Sequence, residues 1–153
     1  MNYKVVPISS EIARSVRAQL ISPQYKHPAS VAVATGYGPC RQCLKKLIVG
    51  KDERLLFTYN AFENLSNLPL PSPVFIHKNE CESFADSGFP SELLDMPLLF
   101  EGYAQESELI KRQAMDKENI ENQITEIFAL SEVKYINIRN AEAGCFVARI
   151  ESL

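Results

Sequence analysis

A chain of 153 residues is the length of one domain. A domain of this size buries roughly 68–70% of the surface its unfolded form exposes, so one core suffices without disulfide or metal staples. The apolar fraction of 46% and charged fraction of 23% exclude a disordered or collagenous chain. With 16 Lys and Arg against 19 Asp and Glu, a net charge of −3 and no block of like charges, the basic footprint of a nucleic-acid binder is lacking.

The first residues, Met1 to Pro7, carry no apolar export segment, and no later apolar run approaches the ~20 residues of a membrane span. A cytoplasmic protein with no membrane partner is expected. Four cysteines are too sparse for a disulfide scaffold and are expected as free thiols. Asn64-Leu65-Ser66 matches a glycosylation sequon, which has no meaning without export.

In chain order, Tyr3 to Ile8 alternates as an opening strand. Ser9 or Ser10 followed by Glu11 starts a helix whose Ile12, Val16 and Leu20 share one apolar face, ended by Ser22-Pro23. Ala29 to Thr35 reads as a buried strand closed by Gly36-Tyr37-Gly38-Pro39. Cys40 to Leu47 and Arg54 to Asn60 flank the turn-forming Val49-Gly50-Lys51-Asp52 and read as a hairpin. Asn64 to Pro73 is a proline-rich loop and Val74 to His77 a short strand.

Ser91 to Asp95 forms one helical turn, and Leu98 to Ala104 pairs with Glu108 to Met115 around Gln105-Glu106-Ser107. Asp116 is expected to cap a helix whose Ile120, Ile124, Ile127 and Phe128 lie on one side, with Glu118, Asn122 and Glu126 opposite. Val133 to Arg139 and Cys145 to Ile150 form a last hairpin. Runs of hairpins with two helices indicate an α+β fold: a mostly antiparallel sheet, with an N-terminal helix and a longer one near the C-terminus packed on it, in a single domain over residues 1–153.

The last hairpin holds most of the chemistry. With Asn140 to Gly144 as the loop, Arg139 opposes Cys145, Asn137 opposes Val147 and Tyr135 opposes Arg149, while Ile138 meets Phe146 and Ile136 meets Ala148. One face is then apolar core. The other gathers Tyr135, Asn137, Arg139, Cys145 and Arg149, either as the solvated side of an antiparallel sheet or as a site for an anion or an activated thiol.

Cys40-Arg41-Gln42-Cys43 is a CxxC, which serves zinc or disulfide chemistry when it lies in a turn or a helix's first turn. Read as a strand, its i and i+3 sulfurs point to opposite faces, Arg41 diverges from Cys40, and Cys81 and Cys145 have no evident place as further ligands. No metal site and no cofactor are expected on that reading. His77, on a strand, is the candidate base, with the alternative of a satisfied histidine at a sheet rim; His27, before Pro28, is a solvated loop residue. Tyr59, Asn60 and Tyr37 are rings and amide that would line a pocket or pack in the core. Gly36-x-Gly38 lacks the rest of a dinucleotide fingerprint.

Gly38-Pro39-Cys40-Arg41, the strand ending Tyr59-Asn60, Ser72 to Ile76 and above all the terminal block Val133 to Arg149 together resemble an uncharacterised bacterial family, domain-of-unknown-function family 1203. The resemblance implies that Cys40-Arg41 and the Asn140 to Arg149 block belong to the family pattern, and it implies no activity. It also marks two departures: the family usually has histidine where this chain has Asn137, and Cys43 is peculiar to this sequence.

Two readings follow. In the first the chain is a binding module whose Tyr135, Asn137, Arg139 and Arg149, with Arg41, Tyr59 and Asn140 nearby, recognise a small anionic ligand or a partner's carboxylate through arginine's planar fork. In the second it is a thiol-dependent enzyme using Cys145 or Cys40 as nucleophile, with an arginine lowering its pKa and His77 or Tyr59 moving the proton.

Overall fold

The computed structural model describes residues 2–62, 71–105 and 107–153. The sequon and residues 64–70 of the expected proline-rich loop, like Glu106 in the second hairpin turn, lie outside the described residues. Among the described residues the architecture is α+β, with two α-helices, a 3-10 turn at Ser91–Leu93 and antiparallel sheets of five and three strands. Among the described residues no helix is long and apolar enough to cross a membrane.

The larger sheet has the order β1 (Tyr3–Val6), β8 (Phe146–Ser152), β7 (Tyr135–Asn140), β5 (Leu98–Tyr103), β6 (Leu109–Ala114). The smaller runs β2 (Ser30–Val33), β3 (Glu53–Tyr59), β4 (Ser72–His77). Helix α1 (Ser10–Gln19) starts on Ser9, whose hydroxyl accepts the Ile12 N–H, and ends at Leu20 in the left-handed region. Helix α2 (Ile120–Phe128) begins later than its periodicity suggests. Asp116 does not cap it: the Asp116 carboxylate instead accepts the Glu118 N–H, in the turn before the helix.

Each face of the larger sheet is covered. On one, Ile120, Ile124 and Ile127 of α2 pack with Phe100, Ile136, Ile138, Val147, Ala148 and Ile150. On the other, Tyr103, Tyr135 and Phe146 pack against Leu55, Phe57, Val74 and Ile76 of the smaller sheet and Ala13 and Val16 of α1. The side of the last hairpin read as either solvated or a pocket floor is therefore partly covered: Asn137 within it is 0% exposed, Tyr135, Arg139, Cys145 and Arg149 are half-buried, and a cavity of about 260 Å³ lies against it, lined by Ile12, Tyr59, Phe146 and Arg149.

Three sequence expectations are corrected. The Ala29 to Thr35 strand is real over Ser30–Val33, but it is a sheet edge and all four residues are exposed. The closing hairpin is shifted by two: Tyr135 faces Glu151, Asn137 faces Arg149 and Ile138 faces Ala148, and a bulge then places Arg139 opposite Phe146. A shift of two preserves which face each residue of β7 takes, because side chains alternate with period two. The bulge lets Val147 and Ala148 both enter the α2 core. Finally, Cys40 to Leu47 forms no strand, and β3 pairs with β2 and β4 instead.

Candidate metal centre

The segment after Gly38 curls because its backbone closes on itself. The Leu44 N–H donates to the Cys40 carbonyl at 2.8 Å and the Cys40 N–H to the Lys45 carbonyl at 3.0 Å, with Leu44 at φ 59°. That is one turn of helix-like chain, in which residues three apart share a side, so the Cys40 and Cys43 sulfurs converge. The turn is pinned from outside: Arg41 N–H donates to the Phe75 carbonyl at 3.0 Å, and its own carbonyl accepts the Ile8 N–H at 2.9 Å.

The other two donors come from the end of β4 and the loop after it. His77 closes β4 and Cys81 lies four residues on. Gln42 draws that loop in: its carbonyl accepts the Phe84 N–H at 3.0 Å, its amide nitrogen donates to Ser83 Oγ at 3.2 Å, and its amide oxygen accepts from Cys81 Sγ at 3.6 Å. The sulfurs of Cys40, Cys43 and Cys81 and a ring nitrogen of His77 thus lie within 4.8 Å of one another. Cys40 Sγ is 3.9 Å from Cys81 Sγ, and Cys43 Sγ is 3.5 Å from His77 Nδ1.

The 3.9 Å and 3.5 Å separations match those of a tetrahedron around one ion. Bonds of 2.3 Å to sulfur and 2.0–2.1 Å to nitrogen at the tetrahedral angle place two sulfurs about 3.8 Å apart and a sulfur about 3.6 Å from the nitrogen. A surrounding set of groups orients the donors. His77 Nε2 sits 3.6 Å from Asp52 Oδ2, whose carboxylate is itself fixed by the Ile48 N–H at 2.7 Å. Arg17 of α1 donates to Cys81 Sγ at 3.6 Å and to the His77 carbonyl at 3.1 Å, and the His77 N–H donates to Cys40 Sγ at 3.4 Å.

The electrostatics favour a thiolate at Cys40. Hydrogen bonds from Cys43, Cys81 and His77 lower the Cys40 thiol pKa, while burial opposes them. Cys43, which keeps its proton and gives a hydrogen bond to the Cys40 sulfur, is pushed up. His77 rises to about 10, chiefly through its hydrogen bond with Cys40. Arg41, 3% exposed, is lowered to about 10 by burial and held up by the negative charge of the Cys145 and Cys40 sulfurs. Among the described residues its hydrogen bonds go to the carbonyls of Phe146 and Pro39, both at 2.7 Å.

Of the residues picked from the sequence, Cys40, His77 and Arg41 meet at this centre, and the others do not. Arg139 donates to the buried Glu101 carboxylate at 2.7 Å and to the Gly144 carbonyl at 3.0 Å. Cys145 lies in the turn, its thiol 3.8 Å from the Ala143 carbonyl, and it is Arg41 that feels its charge. Asn140 shapes that turn by accepting the Glu142 and Ala143 N–H groups.

Arg149 donates to the Ala61 carbonyl at 2.7 Å and to Asn137 Oδ1 at 3.3 Å, and lies over the Tyr135 ring at 4.2 Å. Asn137 Nδ2 and the Tyr135 hydroxyl are buried without a hydrogen-bond partner among the described residues. Tyr59 packs against Phe146, ring centres 5.5 Å apart. Tyr37 and His27 are exposed, and Asn60 is buried, its amide donating to the Tyr25 hydroxyl.

Cys43, Cys81, Asp52 and Arg17 are what sequence reasoning missed. The usable signal was the CxxC itself, between a Gly-Pro pair and a Val-Gly turn. Reading it as a strand separated its sulfurs, and reading it as a turn would have joined them.

No curated protein and no solved structure matches this chain. A family model does, over residues 37–152, which takes in the cysteine turn, His77, Cys81 and the terminal hairpin. The chain belongs to the family described as Protein of unknown function (DUF1203).

Proposed function

We propose that this protein binds one divalent ion of the zinc class through Cys40, Cys43, His77 and Cys81. The observation that carries the reading is the convergence of three sulfurs and one imidazole nitrogen within 4.8 Å. Sulfur and imidazole donors together suit zinc, and a site spread over two irons would hold its thiolates further apart than a single tetrahedron does. Four protein donors fill zinc's coordination, so the ion's role is to tie the Cys40–Cys43 turn to the chain after β4 rather than to activate water. Three thiolates and a divalent cation leave one net negative charge, and the buried Arg41 beside Cys40 supplies the opposite one.

The thiol-enzyme reading keeps Cys40 and His77 as its pair, but Cys40 is 0% exposed and no substrate reaches it without rearrangement. The anion-binding reading has less support. Arg139 and Arg149 are already engaged by Glu101, Gly144, Ala61 and Asn137.

Metal analysis of the protein purified under reducing conditions tests the proposal. One zinc per chain is expected, and cobalt(II) substituted for it should give the absorption of a tetrahedral thiolate complex. Cys43→Ser and Cys81→Ser should each lose most of the metal. A parent chain that holds no zinc, takes up no cobalt and exposes its thiols at once to a thiol reagent would sink the idea.

A further inference from the structure

We infer that this centre is an oxidant-responsive switch, in which a hydroperoxide joins Cys81 to Cys40 as a disulfide and the metal leaves; the inference rests on the metal-binding reading. Its basis is that the donors are not equally shielded. Cys40 is 0% and Cys43 6% exposed, whereas Cys81 is half-buried and borders an open cleft of about 410 Å³ shared with Asp52, His77 and Glu80. Of the three cysteines only Cys81 is not buried, and it reaches the cleft together with His77. Arg17 donates to that sulfur at 3.6 Å and so points it toward Cys40 and the cleft.

The Cys81 thiolate attacks one oxygen of the peroxide, breaking the O–O bond and releasing hydroxide, so that Cys81 becomes a sulfenic acid. The Cys40 thiolate, 3.9 Å away, then attacks the Cys81 sulfur, the S–O bond breaks and a second hydroxide departs. The two hydroxides take up two protons as water. Two thiolates have lost two electrons, and the peroxide has gained them.

Forming the bond needs the sulfurs to close by less than about 2 Å, toward the 2.03–2.05 Å of a disulfide. Cys81 has the latitude to move, since it lies outside any helix or strand. Cys43 and His77 alone then face the ion, and two donors do not retain zinc against the four it takes in a structural site.

The test uses the full chain loaded with zinc and titrated with hydrogen peroxide in the presence of a chromogenic zinc chelator. One zinc should appear for each peroxide consumed, and the oxidised chain should be two hydrogens lighter than the reduced one. Peptide mapping should join Cys40 to Cys81, and a dithiol reductant with added zinc should restore the loaded form. Cys145→Ser should behave as the parent.

Zinc that stays bound while peroxide is consumed, or a disulfide mapped to Cys40–Cys43 or to Cys145, would overturn the switch and leave the metal site standing. A chain that binds neither zinc nor cobalt before any oxidant is added would remove both.

Discussion

Cys40 is the sulfur on which the other three donors converge, and in the metal-free chain it and His77 make an ion pair. That pair fixes a pH dependence whose sign can be worked out. Below the ordinary histidine value of 6.5 the unfolded chain carries a proton on both groups and the folded chain on His77 alone, so stability falls with falling pH. Above the ordinary cysteine value of 9.0 the unfolded chain has lost both protons while folded His77 keeps its own up to about 10, so stability falls with rising pH. Chemical denaturation of the chelated protein, taken as the difference from Cys40→Ser, should therefore show a plateau between these two limits and a decline on either side. A monotonic difference would contradict the pair.

Also at the residue scale, Glu101 is 2% exposed, and accepts from Tyr103 at 2.6 Å, Arg139 at 2.7 Å and Arg112 at 2.8 Å. Burial of the Tyr103 phenol, and after it the hydrogen bond that phenol donates to Glu101, push its pKa up to about 12. The face that a sequence reader assigns to an external anion is in this way supplied with an internal one.

At the scale of elements, β5 and α2 meet at Gly102. A Cβ built there would lie 2.7 Å from Ile127 Cγ2 and 3.2 Å from Val133 Cγ2, closer than packed carbons tolerate. The absent side chain is what lets the Ile120, Ile124 and Ile127 stripe sit down on the sheet. Gly102→Ala is expected to cost about 1–3 kcal/mol by overpacking. It should lower the urea midpoint without changing the slope, and an unchanged midpoint would mean that α2 packs elsewhere. The cysteine turn obeys similar logic: its backbone hydrogen bonds, rather than any sheet partner, decide that residues three apart face one way.

At the scale of the whole molecule, the proposed ion is a staple between two segments some 40 residues apart in the chain, the turn at Cys40–Cys43 and the loop carrying Cys81. A ligand present at a hundred times its dissociation constant stabilises the state it binds by about 2.7 kcal/mol. For a chain of this length that is a rise of roughly 5–10 °C in the thermal midpoint. Adding zinc to the chelated parent should produce such a rise, and adding it to Cys43→Ser should not. Equal midpoints for the parent with and without zinc would count against a bound metal.

The periodicities of Ile12 and Val16, of Ile120, Ile124 and Ile127, and of the strands around Phe57, Phe100 and Ile138 settled the α+β class and nearly every element, because burial of an alternating or helical stripe is written locally. The faces of β7 were legible for the same reason, and the family pattern was legible in the Val133 to Arg149 block. The sequence also singled out Cys40, Arg41 and His77, which the fold brings close to one another.

What only the tertiary structure decided was partnership. A three-stranded sheet laid over the polar face buried Asn137 and half-buried Tyr135, Arg139 and Arg149, and a bulge moved Arg139 away from a cross-strand place beside Cys145. The closure of Cys40–Lys45 on itself, against β4 and the loop that follows, is what brings Cys81 and His77 to the CxxC. Each of these depends on contacts between segments distant in the chain, and no local pattern of side chains records which distant segment will arrive.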